Sequence, residues 1–357
     1  MRVIAAMSGG VDSAVAAARL VAAGYEVTGV HLALSKNPER YRCGSRGCCS
    51  VEDSFDARRT ADVLGIPFYI WDLSDEFERD VVRDFAAEYA AGRTPNPCLR
   101  CNEKIKFAAV LERARALGFD AIATGHYART RENGGQVELL RSNESVKDQS
   151  YVLGVMNQDQ LRHSIFPLGE VCAKAQVRAE AKALKLSVAN KPDSYDICFI
   201  PDGDTAGYLR QSIGTRPGEI TDESGERLGT HQGAFQYTVG QRKGLRLGSP
   251  AGNGAPRYVL RVDVASNTVV VGPKERLAVK EIAAVKPTWT QDAVCDTWHG
   301  LAQWRAHCAP QSAQISFDGE KLHIILDAPA LGIAPGQSVV CYDGERVVGS
   351  ATISATR

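Results

Sequence analysis

The sequence predicts an α/β protein in which a doubly wound parallel sheet comes first, a small mixed domain follows and a β-barrel ends the chain. Short apolar runs alternate with longer helical patterns over residues 1–125. Glycine becomes frequent from about residue 201, and short runs of alternating polarity, separated by turn signals, fill the chain from about residue 280. We therefore expect three domains at residues 1–200, 201–275 and 276–357.

In the first domain, apolar runs predict buried strands, and helical patterns that each stop at a glycine predict helices. Strands are expected at residues 2–7, 26–34, 68–71 and 120–124, and helices at residues 12–23, 51–64, 75–91 and 102–117. Strands and helices that alternate in this way give a parallel sheet, and sites in such sheets lie at the carboxyl ends of the strands.

The rest of the chain shows turn chemistry that is typical of antiparallel pairing. Residues 257–263 and 268–272 flank Ser266-Asn267, and residues 339–342 and 346–349 flank Asp343-Gly344. Both patterns predict β-hairpins. A small barrel is the simplest closure for the tail, because it leaves no open sheet edge.

Composition narrows the class of protein. Apolar residues make up 44% and charged residues 24% of the 357 residues, and no apolar run approaches the roughly 20 residues of a membrane span. The first residues lack the long apolar region of a signal peptide, so we expect a cytoplasmic protein without a membrane partner. Its ten cysteines are then buried, metal-binding or catalytic thiols. Because net charge is +0, any nucleic acid must bind at local basic patches.

The segment Ser8-Gly9-Gly10-Val11-Asp12-Ser13 joins the first predicted strand to the first predicted helix. Two glycines permit a tight turn whose N–H groups face one concavity, and the helix adds its positive end. This pattern favours a pyrophosphate-binding loop. The Gly-Lys-Ser/Thr ending of a Walker A loop is missing, so we expect pyrophosphate to leave, with reaction at the α-phosphate. A plain glycine turn with a capped helix is the alternative.

Cys98 and Cys101 form a C-x-x-C pair in a loop that two prolines hold extended. We expect Cys101 to lie at a helix start, where the helix end and the nearby Arg100 and Lys104 favour the thiolate that sulfur transfer needs. Half of a zinc site, a redox pair and two buried thiols are the alternatives, although no second C-x-x-C accompanies the pair.

Two other cysteine groups carry weaker signals. Cys43, Cys48 and Cys49 lack an obvious fourth ligand and are a poor zinc candidate. Cys198 lies in the apolar run Ile197-Cys198-Phe199-Ile200, which taken alone indicates a core cysteine.

Taken together, these segments resemble a known family. The loop at 8–13 is similar to that of PP-loop pyrophosphatases, which use ATP to adenylate a substrate oxygen. The loop, the cysteine segment at 96–102 and the run at 197–200, in this order, resemble the tRNA-specific 2-thiouridylase family. Six short motifs extend the resemblance over almost the whole chain, at residues 47–50, 123–128, 147–151, 166–169, 238–242 and 335–337.

The resemblance implies an adenine nucleotide alpha hydrolase-like first domain and a role for particular residues. It places ATP at Ala6, Met7, Ser8, Gly9, Gly10, Val11, Asp12, Ser13, Leu32 and Gly125. It makes Cys101 the nucleophile and Cys198 the carrier of a persulfide. It places tRNA, including the target base, at Asn96, Pro97, Cys98, His126, Lys147, Asp148, Gln149, Arg305, Ala306 and Gln337.

The resemblance also implies the reaction. AMP passes from Mg²⁺-bound ATP to the C2 oxygen of the wobble uridine of Lys, Glu and Gln tRNAs, and the persulfide replaces that oxygen. The sulfur comes from a donor protein, either a cysteine desulfurase or a relay protein. Some members carry an aspartate, which can serve as acid or base, at the position where this chain has Cys98. With a cysteine there, an iron–sulfur cluster held by Cys98, Cys101 and Cys198 is an alternative. We favour the persulfide, since no further cluster signature is visible.

Two rival functions fit parts of the chain. A PP-loop ligase or amidotransferase acting on a small substrate would need neither the distant cysteines nor the barrel. A non-catalytic tRNA-binding module would not need an intact phosphate loop. For either RNA-binding interpretation, Arg242, Lys243 and Arg246 form the expected phosphate-contacting patch of the middle domain.

Overall fold

The computed structural model describes residues 1–36, 51–193, 197–200, 202–247, 254–291 and 295–357. Cys43, Cys48, Cys49 and the motif at 47–50 lie outside the described residues, and so do residues 194–196. Within the described residues, no helix is long and apolar enough to cross a membrane.

The chain folds into three sheets with helices around the first. The strands are β1 Arg2–Ala6, β2 Glu26–Ala33, β3 Phe68–Asp72, β4 Ala121–Ala123, β5 Arg129–Asn133, β6 Gln136–Leu140, β7 Ser164–Ile165, β8 Gly218–Thr221, β9 Arg227–His231, β10 Tyr258–Asp263, β11 Thr268–Gly272, β12 Ala278–Trp289, β13 Thr297–Gln303, β14 Gln311–Phe317, β15 Leu322–Leu331, β16 Ser338–Asp343 and β17 Arg346–Thr356. The α-helices are α1 Val11–Ala22, α2 Val51–Leu64, α3 Ser74–Phe77, α4 Arg83–Ala90, α5 Pro97–Cys101, α6 Val110–Ala116, α7 Ser150–Leu153, α8 Gln158–Arg162, α9 Lys174–Ala183 and α10 Thr205–Ile213.

The first sheet is parallel and has the strand order β3-β2-β1-β4-β7, as the alternating pattern predicts. Val3 and Ile4 in β1 are fully buried, because helices cover both faces of this central strand. Helix α2 has the predicted bounds, and α3, a π-helical turn at Glu78–Val82 and α4 form the helix predicted at 75–91.

One helix begins earlier than predicted. The helix expected from residue 102 starts at Pro97, where α5 continues through a π-helical stretch at Asn102–Ala109 into α6. Asn96 caps it by accepting the backbone N–H groups of Cys98 and Leu99. The placement of Cys101 at the helix start is therefore wrong by one turn, because Asn96 and Pro97 supply the start signal.

The middle domain is a four-stranded sheet of order β10-β11-β8-β9 with α10 beside it. The predicted hairpin of β10 and β11 is confirmed, and Asn267 adopts the left-handed conformation of its turn, with φ 53°. Helix α10 was not predicted, because the flanking Gly203 and Gly214 are turn signals and the apolar pattern between them is short.

The predicted C-terminal barrel is confirmed. Strands β12-β15-β14-β13-β16-β17 follow one another, and pairing of β12 with β17 closes the six-stranded barrel. Ile282, Ile324 and Leu326 fill its interior. A hairpin of the first domain, β5–β6, extends this sheet at β17, where Leu140 pairs with Arg346. This junction was not predicted, since nothing local in the sequence indicates which distant strand covers a hairpin edge.

Candidate functional site

The candidate site lies where the order of the first sheet reverses. Chain connections leave β1 and β4 on opposite sides, so a crevice opens at the carboxyl ends of these neighbouring strands. Ser8–Ser13 follows β1, and Gly125 follows β4. A Cβ on Gly125 would lie 2.7 Å from the Ser13 nitrogen, so the two segments are in direct contact and only glycine fits. Ala6, Met7 and Leu32 lie at the same carboxyl edge.

The phosphate loop is held in one conformation by glycine and by its own hydrogen bonds. Gly9 has φ +77°, and a Cβ there would lie 2.2 Å from the Asp53 carbonyl oxygen. The Ser13 hydroxyl accepts the Ser8 N–H and donates to the Gly10 carbonyl, both at 3.1 Å. Gly10 is the N-cap of α1, so the first N–H groups of that helix face the crevice. The geometry suits an anion.

Lys174 supplies the cation that the loop's own sequence lacks. Its Nζ lies 2.6 Å from each carboxylate oxygen of Asp12, and the Tyr127 hydroxyl donates to Asp12 Oδ1 at 2.7 Å. Burial and then the Asp12 charge raise the pKa of Tyr127, so its hydroxyl remains a donor. Sequence reasoning missed Lys174, which lies on α9, because only the packing of α9 on α1 brings it to the loop.

Lys191 is a second cation at the loop that sequence reasoning did not assign. Its Nζ donates to the Gly9 carbonyl at 3.0 Å and pairs with Asp53 and Asp56, each at 2.7 Å. Burial lowers the pKa of Lys191, but these carboxylates outweigh burial and leave it raised. The available signal was its position only seven residues before Cys198.

Residues 94–98, which we call the cysteine loop, lead into helix α5, and Asn96 caps the first turn of that helix. Cys98 is exposed in the first turn of α5, whereas Cys101 is 8% exposed and belongs to the main hydrophobic core. Arg100 pairs with Asp84 at 3.1 Å and with Glu103 at 2.7 Å. Lys104 also pairs with Glu103, at 2.9 Å. Because carboxylates neutralise both cations, Arg100 and Lys104 favour the Cys101 thiolate less than the sequence alone predicts.

Cys198 lies against the same core cluster as Cys101. Its neighbour Phe199 packs edge-on against Phe77 and Phe85, with ring centroids 5.9 and 5.3 Å apart. Cys198 is half-buried at the margin of the cluster to which Cys101 belongs. Helix α5 packs against the π-helical turn between α3 and α4, so the two cysteines converge on one helical layer although 97 positions separate them.

The middle domain and the barrel both form hydrogen bonds with the start of the cysteine loop. The Thr94 N–H donates to the Pro335 carbonyl of the barrel at 2.8 Å, and the Thr94 hydroxyl bonds that of Thr238 in the middle domain at 3.2 Å. A Cβ on Gly336, which has φ +89°, would lie 2.6 Å from Arg93 Cβ. The loop is therefore positioned by all three domains.

We expect Gly336→Ala to lower the midpoint of thermal unfolding, because the new methyl group displaces the Arg93–Thr94 backbone in addition to straining a left-handed φ. The cost is about 3 kcal/mol, against about 1 kcal/mol for strain alone. Gly319→Ala is the matched control, since Gly319 has φ +96° with no atom within 4 Å of an added Cβ. Equal losses in the two variants, measured by differential scanning calorimetry, would contradict this contact.

Among the described residues, no three or more His, Cys, Asp or Glu side chains are grouped so as to hold a metal ion. Of the three cysteines in the iron–sulfur alternative, Cys98 is exposed, Cys101 is buried and Cys198 is half-buried.

The predicted tRNA-contacting residues of the first domain are mostly engaged within the chain. His126 is 8% exposed and packs between Phe107 and Phe166, and burial followed by Lys106 lowers its pKa well below the usual value. Asp148 accepts hydrogen bonds from Arg141, Ser142 and Ser150.

Lys147 and Gln149 flank that aspartate on either side. Lys147 pairs with Asp193 at 2.9 Å. The exposed Gln149 accepts the Tyr127 N–H at 2.9 Å. These bonds fix the 147–149 turn beside the phosphate loop, because Tyr127 also bonds Asp12.

The predicted contacts of the barrel lie at its junction with the middle domain. Arg305 donates to the Gly332 carbonyl, beside Gly240 of the middle domain, and the Gln303 amide bonds the carbonyls of Arg305 and Ala306. Gln337 follows the turn that holds Thr94, and its buried Oε1 has no hydrogen-bond partner within the described structure. Barrel and cysteine-loop candidates are thus neighbours through this junction.

A glycine turn between a strand and a helix, at the reversal point of a parallel sheet, defines a nucleotide-binding α/β protein of the PP-loop class. Three family models match successive parts of the chain. Residues 1–202 match a model described as tRNA methyl transferase HUP domain, residues 206–273 one described as tRNA methyl transferase PRC-barrel domain, and residues 279–353 one described as aminomethyltransferase beta-barrel domain.

Relatives over the full length make the assignment specific. The chain is 62% identical to the tRNA-specific 2-thiouridylase MnmA of Cutibacterium acnes, over 100% of this chain and 97% of the relative. It is 61% identical to that of a Nocardioides species and 59% identical to that of Acidothermus cellulolyticus, with 100% of this chain and 98% of each relative covered. The chain belongs to the tRNA-specific 2-thiouridylase family.

Proposed function

We propose that this chain is a tRNA-uridine 2-sulfurtransferase. It uses ATP to adenylate the C2 oxygen of the wobble uridine in Lys, Glu and Gln tRNAs and replaces that oxygen with sulfur, giving 2-thiouridine, AMP and pyrophosphate. The observation that carries the proposal is that one domain of a 2-thiouridylase family member holds a phosphate loop and also two distant cysteines that lie at the same hydrophobic cluster. We infer that the protein works in the cytoplasm, where thiols stay reduced. We also infer that its three domains span residues 1–200, 201–275 and 276–357.

The first half-reaction makes a poor leaving group into a good one. The uridine C2 oxygen attacks the α-phosphate of ATP, and pyrophosphate leaves with the electron pair of the broken P–O bond. The N–H groups at the start of α1, with Lys174 and Lys191 nearby, favour the charge that develops there. Mg²⁺ would accompany the triphosphate. Because Asp12 and Asp53 are already paired with lysines, we assign Mg²⁺ no protein ligand.

The second half-reaction moves one sulfur atom. The terminal sulfur of a persulfide on Cys198 attacks C2, and AMP leaves with the former C2 oxygen. The Cys101 thiolate then attacks the Cys198 sulfur, so that the bond to the transferred sulfur breaks and a Cys101–Cys198 disulfide forms. A thiol reductant restores the pair, and a cysteine desulfurase or relay protein reloads Cys198.

Two measurements test this function together. Pyrophosphate release should require both ATP and a cognate tRNA, and mass spectrometry of digested nucleosides should then detect 2-thiouridine. Release that depends on a small acceptor in place of tRNA would favour a PP-loop ligase or amidotransferase. Tight tRNA binding without any pyrophosphate release would favour a non-catalytic module.

We infer that tRNA phosphates meet the middle domain at Arg242, Lys243 and Arg246, which are exposed. They follow the turn at 238–241, whose Thr238 contacts the cysteine loop at Thr94. The patch therefore lies beside the place where the target base must arrive. Backbone contacts of this kind fix the register of an RNA without reading its sequence.

We expect the salt dependence of tRNA binding to be modest. Because the net charge of the chain is +0, binding should rest on a few phosphate contacts at local basic patches. The slope of log K against log salt should lie near about −3 to −5, and removing Arg242 and Lys243 together should reduce it by about 2. Lys321→Ala, on the exposed hairpin between β14 and β15, should leave it unchanged. A wild-type slope that implies ten or more released counterions would contradict this picture; filter binding at several salt concentrations measures it.

A further inference from the structure

Tyr127 joins the phosphate loop to the turn at residues 147–149 by direct contacts. Its hydroxyl donates to Oδ1 of Asp12, at the start of α1, over 2.7 Å. The tyrosine is 2% exposed and belongs to the same hydrophobic cluster as Val11 and Val15 of that helix. Burial and the hydrogen bond together hold its side chain against the phosphate loop.

The backbone of Tyr127 is bonded to Gln149 in both directions. The Tyr127 N–H donates to Gln149 Oε1 at 2.9 Å, and the Gln149 N–H donates to the Tyr127 carbonyl at 2.8 Å. The amide oxygen of Gln149 is thus committed to the tyrosine. Because the Gln149 side chain is exposed, its NH2 group is the part that can donate to an acceptor on RNA.

The same turn reaches the phosphate loop by a second route, which consists of ion pairs. Lys147 pairs with Asp193 at 2.9 Å, Asp193 lies 3.2 Å from Lys174, and Lys174 pairs with Asp12 at 2.6 Å. Two of these links depend on the flexible stem of a lysine, which accommodates several geometries. The buried ring of Tyr127 is the more rigid connection.

We propose that Tyr127 is a positioning residue that fixes the 147–149 turn relative to the phosphate loop. The inference rests on the proposed function in that the turn contacts tRNA and the loop binds ATP. Adenylation requires the uridine oxygen to approach the α-phosphate closely, and a misplacement of about 1 Å can cost about 100-fold in rate. A rigid residue bonded to both binding segments limits such misplacement.

The first test is amide hydrogen exchange of the protein alone, measured by mass spectrometry of its peptides. Tyr127→Phe removes only the hydroxyl and leaves Asp12 paired with Lys174, so the variant should fold. Exchange in the peptide that contains residues 147–151 should become at least about fivefold faster, as expected for the loss of one hydrogen bond. Exchange in the hairpin of β10 and β11 should not change. A uniform increase over the whole chain would indicate a merely structural role and overturn the proposal.

The second test is the single-turnover rate of pyrophosphate release with ATP and a cognate tRNA. In Tyr127→Phe, the rate at saturation should fall by about tenfold or more. The half-saturating concentrations of ATP and tRNA should change by less than about twofold, because the lost hydroxyl bonds Asp12 and the RNA-facing group belongs to Gln149. Tyr69→Phe is the matched control, since Tyr69 is 58% exposed on β3, at the far edge of the same sheet. It should match the wild type in both tests.

Unchanged exchange at residues 147–151 in Tyr127→Phe would overturn the proposal, and so would an unchanged rate of pyrophosphate release. If Tyr127→Phe does not fold, Gln149→Ala removes the acceptor of the Tyr127 N–H at an exposed position and must accelerate exchange there. Faster exchange at the turn in Tyr127→Phe, combined with a wild type that releases no pyrophosphate in response to tRNA, would defeat the proposed function alone.

Discussion

Replacing Cys198 with serine is expected to reduce 2-thiouridine formation by at least about 10³-fold, because an alcohol cannot carry the persulfide sulfur. Cys101→Ser should cause a similar loss under multiple turnover, since nothing then resolves the intermediate. Neither change should prevent ATP binding, because the phosphate loop follows β1 and both cysteines lie in the helical layer. Nucleoside mass spectrometry and equilibrium ATP binding measure the two effects separately.

The remaining cysteines sharpen this experiment. Cys172→Ser is the control, since Cys172 is exposed and its sulfur lies 3.7 Å from the Glu170 carbonyl. After one turnover without reductant, peptide mapping of the wild type should detect a Cys101–Cys198 disulfide. Cys98→Ser should weaken activity but leave single-turnover thiolation measurable, whereas a cluster mechanism demands loss of bound iron and of all activity. Full activity in Cys198→Ser would contradict both mechanisms and favour the interpretation of Cys198 as a core cysteine.

Asp12→Ala and Ser13→Ala should each lower pyrophosphate release by about 100-fold or more while tRNA still binds. Ser13 is 6% exposed, and its removal leaves the Ser8 N–H without its partner, at a cost of about 1–3 kcal/mol in the loop. Asp12→Ala removes the carboxylate that orders Lys174 and Tyr127. Release of labelled pyrophosphate from ATP measures the step directly.

Ser224→Ala is the control for both substitutions. Its hydroxyl bonds Asp222 in an exposed turn of the middle domain, so its loss should leave pyrophosphate release at the wild-type level. Unchanged release in Asp12→Ala or Ser13→Ala would remove the assignment of this loop to ATP, whatever the outcome of the cysteine experiments.

Local patterns predicted the architecture wherever one segment determines its own conformation. The apolar run of β1 followed by Gly9-Gly10 predicted both a central strand and a phosphate loop. The Asp343-Gly344 turn predicted the hairpin of β16 and β17. The early start of α5 was also within reach, because Asn96 and Pro97 form an N-cap and first-turn pair. Their interpretation as extended loop residues hid that signal.

What the sequence could not supply was the set of contacts between distant segments. Lys174 reaches Asp12 across 162 positions, and Lys191 reaches Gly9 across 182, through the packing of separate elements. A surface lysine and a loop lysine have the same local pattern, so charge alone does not distinguish them. The burial of His126 between two phenylalanines has the same origin, since only the folded domain places Phe107 and Phe166 together.

The pairing of Leu140 with Arg346 has a consequence for synthesis on the ribosome. The β5–β6 hairpin emerges roughly 200 residues before the strand that covers its edge. At about 5–20 residues per second, it waits about 10–40 s with that edge uncovered. During the same interval Thr94 lacks the Pro335 carbonyl that later fixes it. A nascent first domain can therefore complete its parallel sheet, but its cysteine loop reaches its final position only after the barrel segment that carries Pro335 has been made.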